Sequence, residues 1–173
     1  MSASVGGIVL RPEMAGDEAA VRTLLQEAFG GPAEATLVDH LRAKGDLAYA
    51  LVAATASDEI LGYVGFSLLR IENPEGTRAG TGLAPLAVVP SHQRRGIGSA
   101  LVRAGLDQLI ARREEIVFVL GDPALYSRFG LSVEDGGAFT SPYAGPHFMA
   151  LRLHADAPDA GTVSYPRAFA GLR

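Results

Sequence analysis

The chain has 173 residues, 48% hydrophobic and 20% charged, with a formal net charge of −4 and no cysteine. That suits a globular chain with a real core; it excludes disulfides, thiolate metal sites and a cysteine acyl-enzyme, and leaves no basic footprint for nucleic acid. No apolar run nears the ~18 residues of a membrane span, and the N-terminus lacks the charged and apolar regions of a signal peptide. The expectation is therefore one soluble, cytoplasmic domain over residues 1–173, contacting neither nucleic acid nor membrane.

In chain order, Ile8–Pro12 reads as a short first strand ended by proline. Asp17 is placed to cap a helix in which Ala20, Val21, Leu24, Leu25 and Ala28 recur at helical spacing. Gly30-Gly31-Pro32 breaks it. A second helix is expected over 33–44, with Ala33, Leu37, Val38 and Leu41 inward, stopped by Gly45-Asp46. Residues 48–56 and 60–71 read as a strand hairpin around Ser57-Asp58-Glu59, and Asn73–Gly76 turns the chain again.

The stretch Leu83–Val102 carries the most chemistry. It opens as a buried strand, with Leu86, Val88 and Val89 apolar and Pro85 and Pro90 bracketing the run. It closes as a helix with Ile97, Leu101, Gly105 and Leu109 on one face and Ser99, Arg103 and Asp107 on another. Between them, Gln93-Arg94-Arg95-Gly96-Ile97-Gly98 sits where a helix N-terminus presents N–H groups to an anion. Glycine at 96 and 98 lets backbone approach that anion without a Cβ. A phosphate-bearing ligand suits such a loop.

Beyond the helix, Arg112–Glu115 reads as a solvated charged end, and Ile116–Leu120 as a buried strand parallel to the strand before the loop. Gly121-Asp122-Pro123 turns into a short helix, Ala124–Phe129, stopped by Gly130. A Gly, Ser and Pro-rich loop over 136–146 precedes a last strand near 148–153. Three strands, a long helix and a further strand indicate an α+β class with a mixed central β-sheet flanked by helices.

Gln93-x-x-Gly96-x-Gly98, after Leu-Ala-Val-x-Pro and before Ser-Ala-Leu, resembles the acetyl-CoA loop of the GNAT N-acetyltransferase superfamily. Ala124-Leu-Tyr-Ser-Arg-Phe-Gly-Leu131 resembles the segment after that family's fifth strand. The wider run from Leu120 to the His-Phe-Met-Ala-Leu segment is similar to a bacterial subgroup of predicted acetyltransferases. The resemblance implies that the loop residues Arg94, Arg95, Gly96, Ile97, Gly98 and Ser99 hold the CoA pyrophosphate. It implies that the backbone of Leu86, Ala87 and Val88 pairs with the pantetheine arm, and that Tyr126 is the general acid at the thioester sulfur. Acetyl-CoA would be the acyl donor, with no metal, and a small-molecule or peptide amine the acceptor. A non-catalytic CoA- or acyl-CoA-binding module on the same fold is the alternative, and oligomeric state stays open, a homo-oligomer included.

Two departures stand out. At the start of the second segment, where many members carry an asparagine, this chain has the turn Gly121-Asp122-Pro123, and the strand positions Ala84, Leu86 and Val88 supply no carboxylate base. Candidate bases are Glu34, His92, Asp122, Glu134 and His147; Phe29 and Glu34 flank the loop that borders the acceptor in the family. His40, His92, His147 and His154 show no metal-ligand spacing, and neither a nucleophile elbow nor a P-loop lysine is present.

Overall fold

The computed structural model describes residues 3–171, which divide into two compact units. The first takes the described residues up to Phe66, Ala84–Leu106 and those from Arg167 on, the second Ser67–Leu83 and Asp107–Pro166. Nine strands and five α-helices are present among the described residues.

In the first unit, β1 (Ala3–Val5) and β2 (Ile8–Pro12) form an antiparallel hairpin, Val5 opposite Ile8. Gly6 and Gly7 both have positive φ (53° and 81°), as a two-residue hairpin turn demands. The expected first strand is thus the second; a Gly-Gly pair near the terminus was its only sequence signal. β2 pairs antiparallel with β3 (Leu47–Ala54), which neighbours β4 (Ile60–Asn73), and β4 neighbours β5 (Gly76–Val88).

Helix α1 (Glu18–Phe29) buries Val21, Leu24 and Leu25, and ends where Gly30 turns left-handed (φ 71°) and donates to Gln26 O at 2.9 Å. Helix α2 (Ala33–Ala43) buries Ala35, Leu37, Val38 and Leu41; Ala33, expected inward, is exposed. With Ala50, Val52, Tyr63 and Ala87, residues of α1 and α2 form one apolar cluster. Helix α3 (Ile97–Ala111) packs on the opposite face of β4. A Cβ on Gly62 would stand 3.0 Å from Leu101 Cδ1, and one on Gly105 would stand 2.5 Å from Phe66 Cζ. Close approach of helix to strand therefore requires both glycines.

In the second unit, β6 (Ile116–Leu120) runs parallel to β5, with Thr81 opposite Val117 and Gly82 opposite Phe118. β8 (Phe148–Arg152) lies antiparallel on β6. Helices α4 (Pro123–Tyr126) and α5 (Val133–Gly137) and strands β7 (Phe139–Thr140) and β9 (Gly161–Ser164) complete it. The sheet is mixed, as expected. Two expectations change. The loop over 136–146 contains the end of α5 and all of β7, and the last strand is β9, antiparallel to β4 and parallel to β7. Phe118 anchors the core here, edge-on to Phe139 (4.9 Å) and stacked on Phe148 (5.5 Å). Of the charged end at 112–115, Glu115 is instead paired with Arg78.

Asp17 caps differently from expectation. Its carboxylate makes no cap bond into α1; it accepts from Met14 N (2.7 Å) and from both terminal nitrogens of Arg11 (2.7 and 3.0 Å). Those bonds, the Arg11 pair foremost, hold its carboxyl below the usual carboxylate range. A depressed folded pKa contributes stability that is present above the unfolded pKa of ~3.9 and lost as pH falls through the folded value. Asp17→Asn is expected to lower stability by about 1–3 kcal/mol at pH 7. In denaturant titrations the gap to wild type should close below pH ~3.9.

Candidate functional site

The strand end, the loop and the first turns of the helix expected to hold the donor, within Ala84–Leu106, lie in the first unit. Along the end of β5 the side chains alternate, with Pro85 and Ala87 buried and Leu86 and Val88 half-buried. Val89 N donates to Leu61 O at 2.8 Å, so pairing with β4 continues to the last residue before the turn. A 3-10 turn over Pro90–His92 follows, closed by His92 N to Val89 O (2.9 Å). Gln93 Nε2 then reaches back to Val88 O at 3.1 Å and clasps the loop to the strand end.

Beyond the clasp the backbone twice enters the left-handed region, at Arg94 (φ 63°) and Gly96 (φ 85°). Alternation of this kind turns successive N–H groups toward one concavity, the geometry that holds an anion. Gly96 O accepts from Ala100 N (3.0 Å), which makes Gly96 the residue on which α3 starts. A Cβ there would meet nothing within 4 Å, so the glycine is required by φ and by what approaches from outside. Arg94 and Arg95 are exposed, Gly98 and Ser99 half-buried, and Ile97 is buried as the helix's first anchor. The positive end of a 15-residue helix and two guanidinium groups thus share one loop. His92, a candidate base, is bonded to its neighbour instead: Ser91 Oγ lies 2.9 Å from its Nδ1.

Tyr126 lies in the second unit. Asp122 caps α4, its Oδ1 accepting from Ala124 N (2.9 Å) and its carbonyl from Leu125 N and Tyr126 N (3.0 Å each), with Pro123 in the first turn. The carboxylate proposed as a base is therefore a helix cap. Tyr126 is buried against Gly121, where a Cβ would stand 2.4 Å from its Cε2, and Phe129 lies 6.4 Å away by ring centroids. Burial pushes the phenol up to about 12. It therefore stays protonated at neutral pH, with an O–H available to donate.

His147 meets the same glycine: Gly121 N donates to His147 O (2.9 Å), and His147 Nδ1 lies 3.3 Å from Gly121 O. Glu34 and Glu134 sit in the first turns of α2 and α5, where a carboxylate complements the helix dipole. Phe29 is exposed at the end of α1.

Two polar features of the first unit were not singled out from the sequence. Glu13 is bonded through both oxygens to Arg42 Nη2 (2.8 Å each); burial holds its carboxyl above the usual range, and Arg42 offsets this only in part. Tyr63, fully buried, has a hydroxyl with no hydrogen-bond partner among the described residues. A hydroxyl-bearing residue within the apolar run 60–71 was its only signal. An open cavity of about 810 Å³ beside α2, lined by Leu37, His40, Lys44 and Arg167 among others, contains none of the expected site residues. Among the described residues no group of three or more His, Asp or Glu could hold a metal ion, and no helix is long and apolar enough to cross a membrane.

Comparison with known proteins adds an independent line. The acetyltransferase (GNAT) family model matches residues 18–131. The uncharacterised N-acetyltransferase YhbS of Escherichia coli (strain K12) is 35% identical over 167 residues, covering 94% of this chain and 98% of that protein. The crystal structure of the E. coli YhbS protein in complex with CoA superposes with a TM-score of 0.86 at 34% identity, covering 98% of this chain and 96% of the other. A GNAT family acetyltransferase from Brucella melitensis in complex with acetyl-CoA gives a TM-score of 0.78 at 32% identity, with 94% and 97% covered. With the family model spanning most of the chain and relatives matched end to end, this chain belongs to the GNAT acetyltransferase family.

Proposed function

We propose that the chain is an acetyl-CoA-dependent N-acetyltransferase that moves the acetyl group to an amine by direct attack in a ternary complex. The start of α3 carries the proposal. Left-handed Arg94 and Gly96, clasped to β5 by Gln93, present a backbone concavity and a helix N-terminus to a pyrophosphate. That relatives of like length are solved with CoA and acetyl-CoA supports the same ligand here.

Arg94, Arg95 and the backbone of Gly96 to Ser99 bind the pyrophosphate, and the backbone of Leu86, Ala87 and Val88 pairs with the pantetheine arm. A neutral amine attacks the thioester carbonyl carbon, N–H groups of that strand meet the oxyanion, and the C–S bond breaks with its electron pair on sulfur. The proton shed by nitrogen leaves to solvent, and sulfur is met by the Tyr126 hydroxyl. With the phenol at about 12 and an alkyl thiol at ~8.5, complete transfer from Tyr126 to sulfur would be uphill by about 5 kcal/mol. Tyr126 therefore acts by a hydrogen bond that strengthens as charge builds on sulfur.

Gly96→Asp adds a side chain at φ 85° and a negative charge where the pyrophosphate sits. Calorimetry should show loss of most CoA affinity in protein that stays folded by circular dichroism; unchanged affinity would remove the loop from the site. Tyr126→Phe keeps the packing on Gly121 and deletes the donor. With an acceptor found by a thiol-release screen of amines, kcat is expected to fall about 10²–10⁴-fold, with CoA affinity within a few-fold of wild type. Thiol release from no amine, with CoA still bound, would mark a binding module.

A further inference from the structure

Ala33, Leu37, His40 and Lys44 recur at helical spacing along α2 and line the open cavity of about 810 Å³. The 3-10 turn Arg167–Gly171 brings Arg167 and Ala168 to the same cavity and buries Phe169. All of these residues belong to the first unit. Cavities of this size that hold small molecules combine an apolar lining, supplied here by Ala33, buried Leu37 and Ala168, with a few polar groups. The charges set this one apart. In a chain of net charge −4, most described arginines are paired with carboxylates or bonded to carbonyls. Among the described residues, the Lys and Arg side chains with no hydrogen bond or ion pair are Lys44, Arg94, Arg95, Arg113 and Arg167. Arg94 and Arg95 stand on the loop assigned above to a pyrophosphate, and Arg113 stands alone after α3. Lys44 and Arg167 meet at the α2 cavity. Helix polarity accounts for His40 and Lys44 near the C-terminal end of α2, but not for Arg167, which comes from far along the chain. Asp46 lines the cavity too and is paired with neither cation. Lys44 and Arg167 against Asp46 leave one net positive charge, with histidine counted neutral.

We infer that this cavity is a second ligand site, separate from the donor loop, and that its ligand is an amphipathic monoanion: an apolar body ending in one carboxylate. Lys44 and Arg167 donate charge-assisted N–H bonds to the carboxylate, and Ala33, Leu37 and Ala168 cover the apolar body. One net positive charge matches one carboxylate. A second negative charge on the ligand would meet Asp46 with no further cation to offset it. A bare inorganic anion would leave the apolar lining wet, and an uncharged chain would leave both cations unpaired. From Ala33 to Lys44 the α2 wall runs about 16 Å at ~1.5 Å per residue, which suits an extended alkyl chain of medium length. The inference stands apart from acetyl transfer and holds whichever amine accepts the acetyl group.

The test takes the full chain with octanoate as the probe, and with octanol and acetate as its apolar and anionic halves. Lys44 is the chain's single lysine, so reductive methylation with labelled formaldehyde, which keeps the charge, marks it with one side-chain resonance beside that of the N-terminus. Octanoate should bind saturably at one site by calorimetry, shift the Lys44 methyl resonance and leave CoA affinity unchanged. Octanol and acetate should each bind at least about tenfold more weakly. Lys44→Glu and Arg167→Glu, both at exposed side chains, should each weaken octanoate about tenfold or more, with circular dichroism and CoA affinity unchanged. Octanol or acetate binding as tightly as octanoate would show that the site does not read both halves of the ligand, and would overturn the inference. Octanoate that leaves the Lys44 resonance silent, binds both glutamate variants undiminished or is displaced by CoA would lie elsewhere, which overturns it too. So would the absence of saturable binding at millimolar octanoate.

Discussion

The bond from Gln93 Nε2 to Val88 O governs how the first unit presents its chemistry. Strand β5 ends at Val88 and helix α3 begins at Ile97, so the chain must reverse its geometry within eight residues. An uncapped turn of that length would sample many conformations. The side-chain amide ties the loop to the strand end, and the backbone beyond it turns left-handed at Arg94 and Gly96. The cost of holding a non-glycine residue such as Arg94 at positive φ is met by packing elsewhere. Ile97, Leu101 and Gly105 seat α3 on Gly62 and Phe66 so closely that either glycine with a Cβ would push the helix off. The direction of the helix N-terminus, and with it the electrostatics of the loop, is thus inherited from core packing.

Tyr126 illustrates the same dependence in the second unit. The Asp122 cap and Pro123 start a helix only four residues long, which would not persist alone. Gly121 lets the ring lie on the backbone, and the β6–β8 ladder holds Gly121 through its bond to His147 O. Burial follows from this packing, and burial sets the chemistry. A phenol raised to about 12 is a poorer acid and a steadier hydrogen-bond donor than a solvated one.

Features carried by local pattern were legible in the sequence: the apolar stripe of α1, the Gly30 stop, the strand β6, the glycine-bearing loop before α3 and the short helix at Tyr126. What escaped reading depends on partners remote in the chain. Strand β9 is four residues of unremarkable composition that become a strand against Glu72 and its neighbours on one side and β7 on the other. Glu13 is unexceptional until Arg42, 29 positions on, grips it. The swap of Ala35 for Ala33 inside α2 arises because two alanines of one helix carry equal hydrophobic signal, and the neighbouring helix decides between them. The Gly6-Gly7 hairpin failed for another reason: two residues suffice for the turn, and three for the strand before it.

Acetyl transfer to nitrogen turns on the neutral amine. A lysine-type amine near ~10.4 is neutral about once in 10³ molecules at pH 7.4, whereas an α-amino group near ~8 is neutral perhaps a fifth of the time. Strand β5 offers no carboxylate at Ala84, Leu86 or Val88 to remove the excess proton.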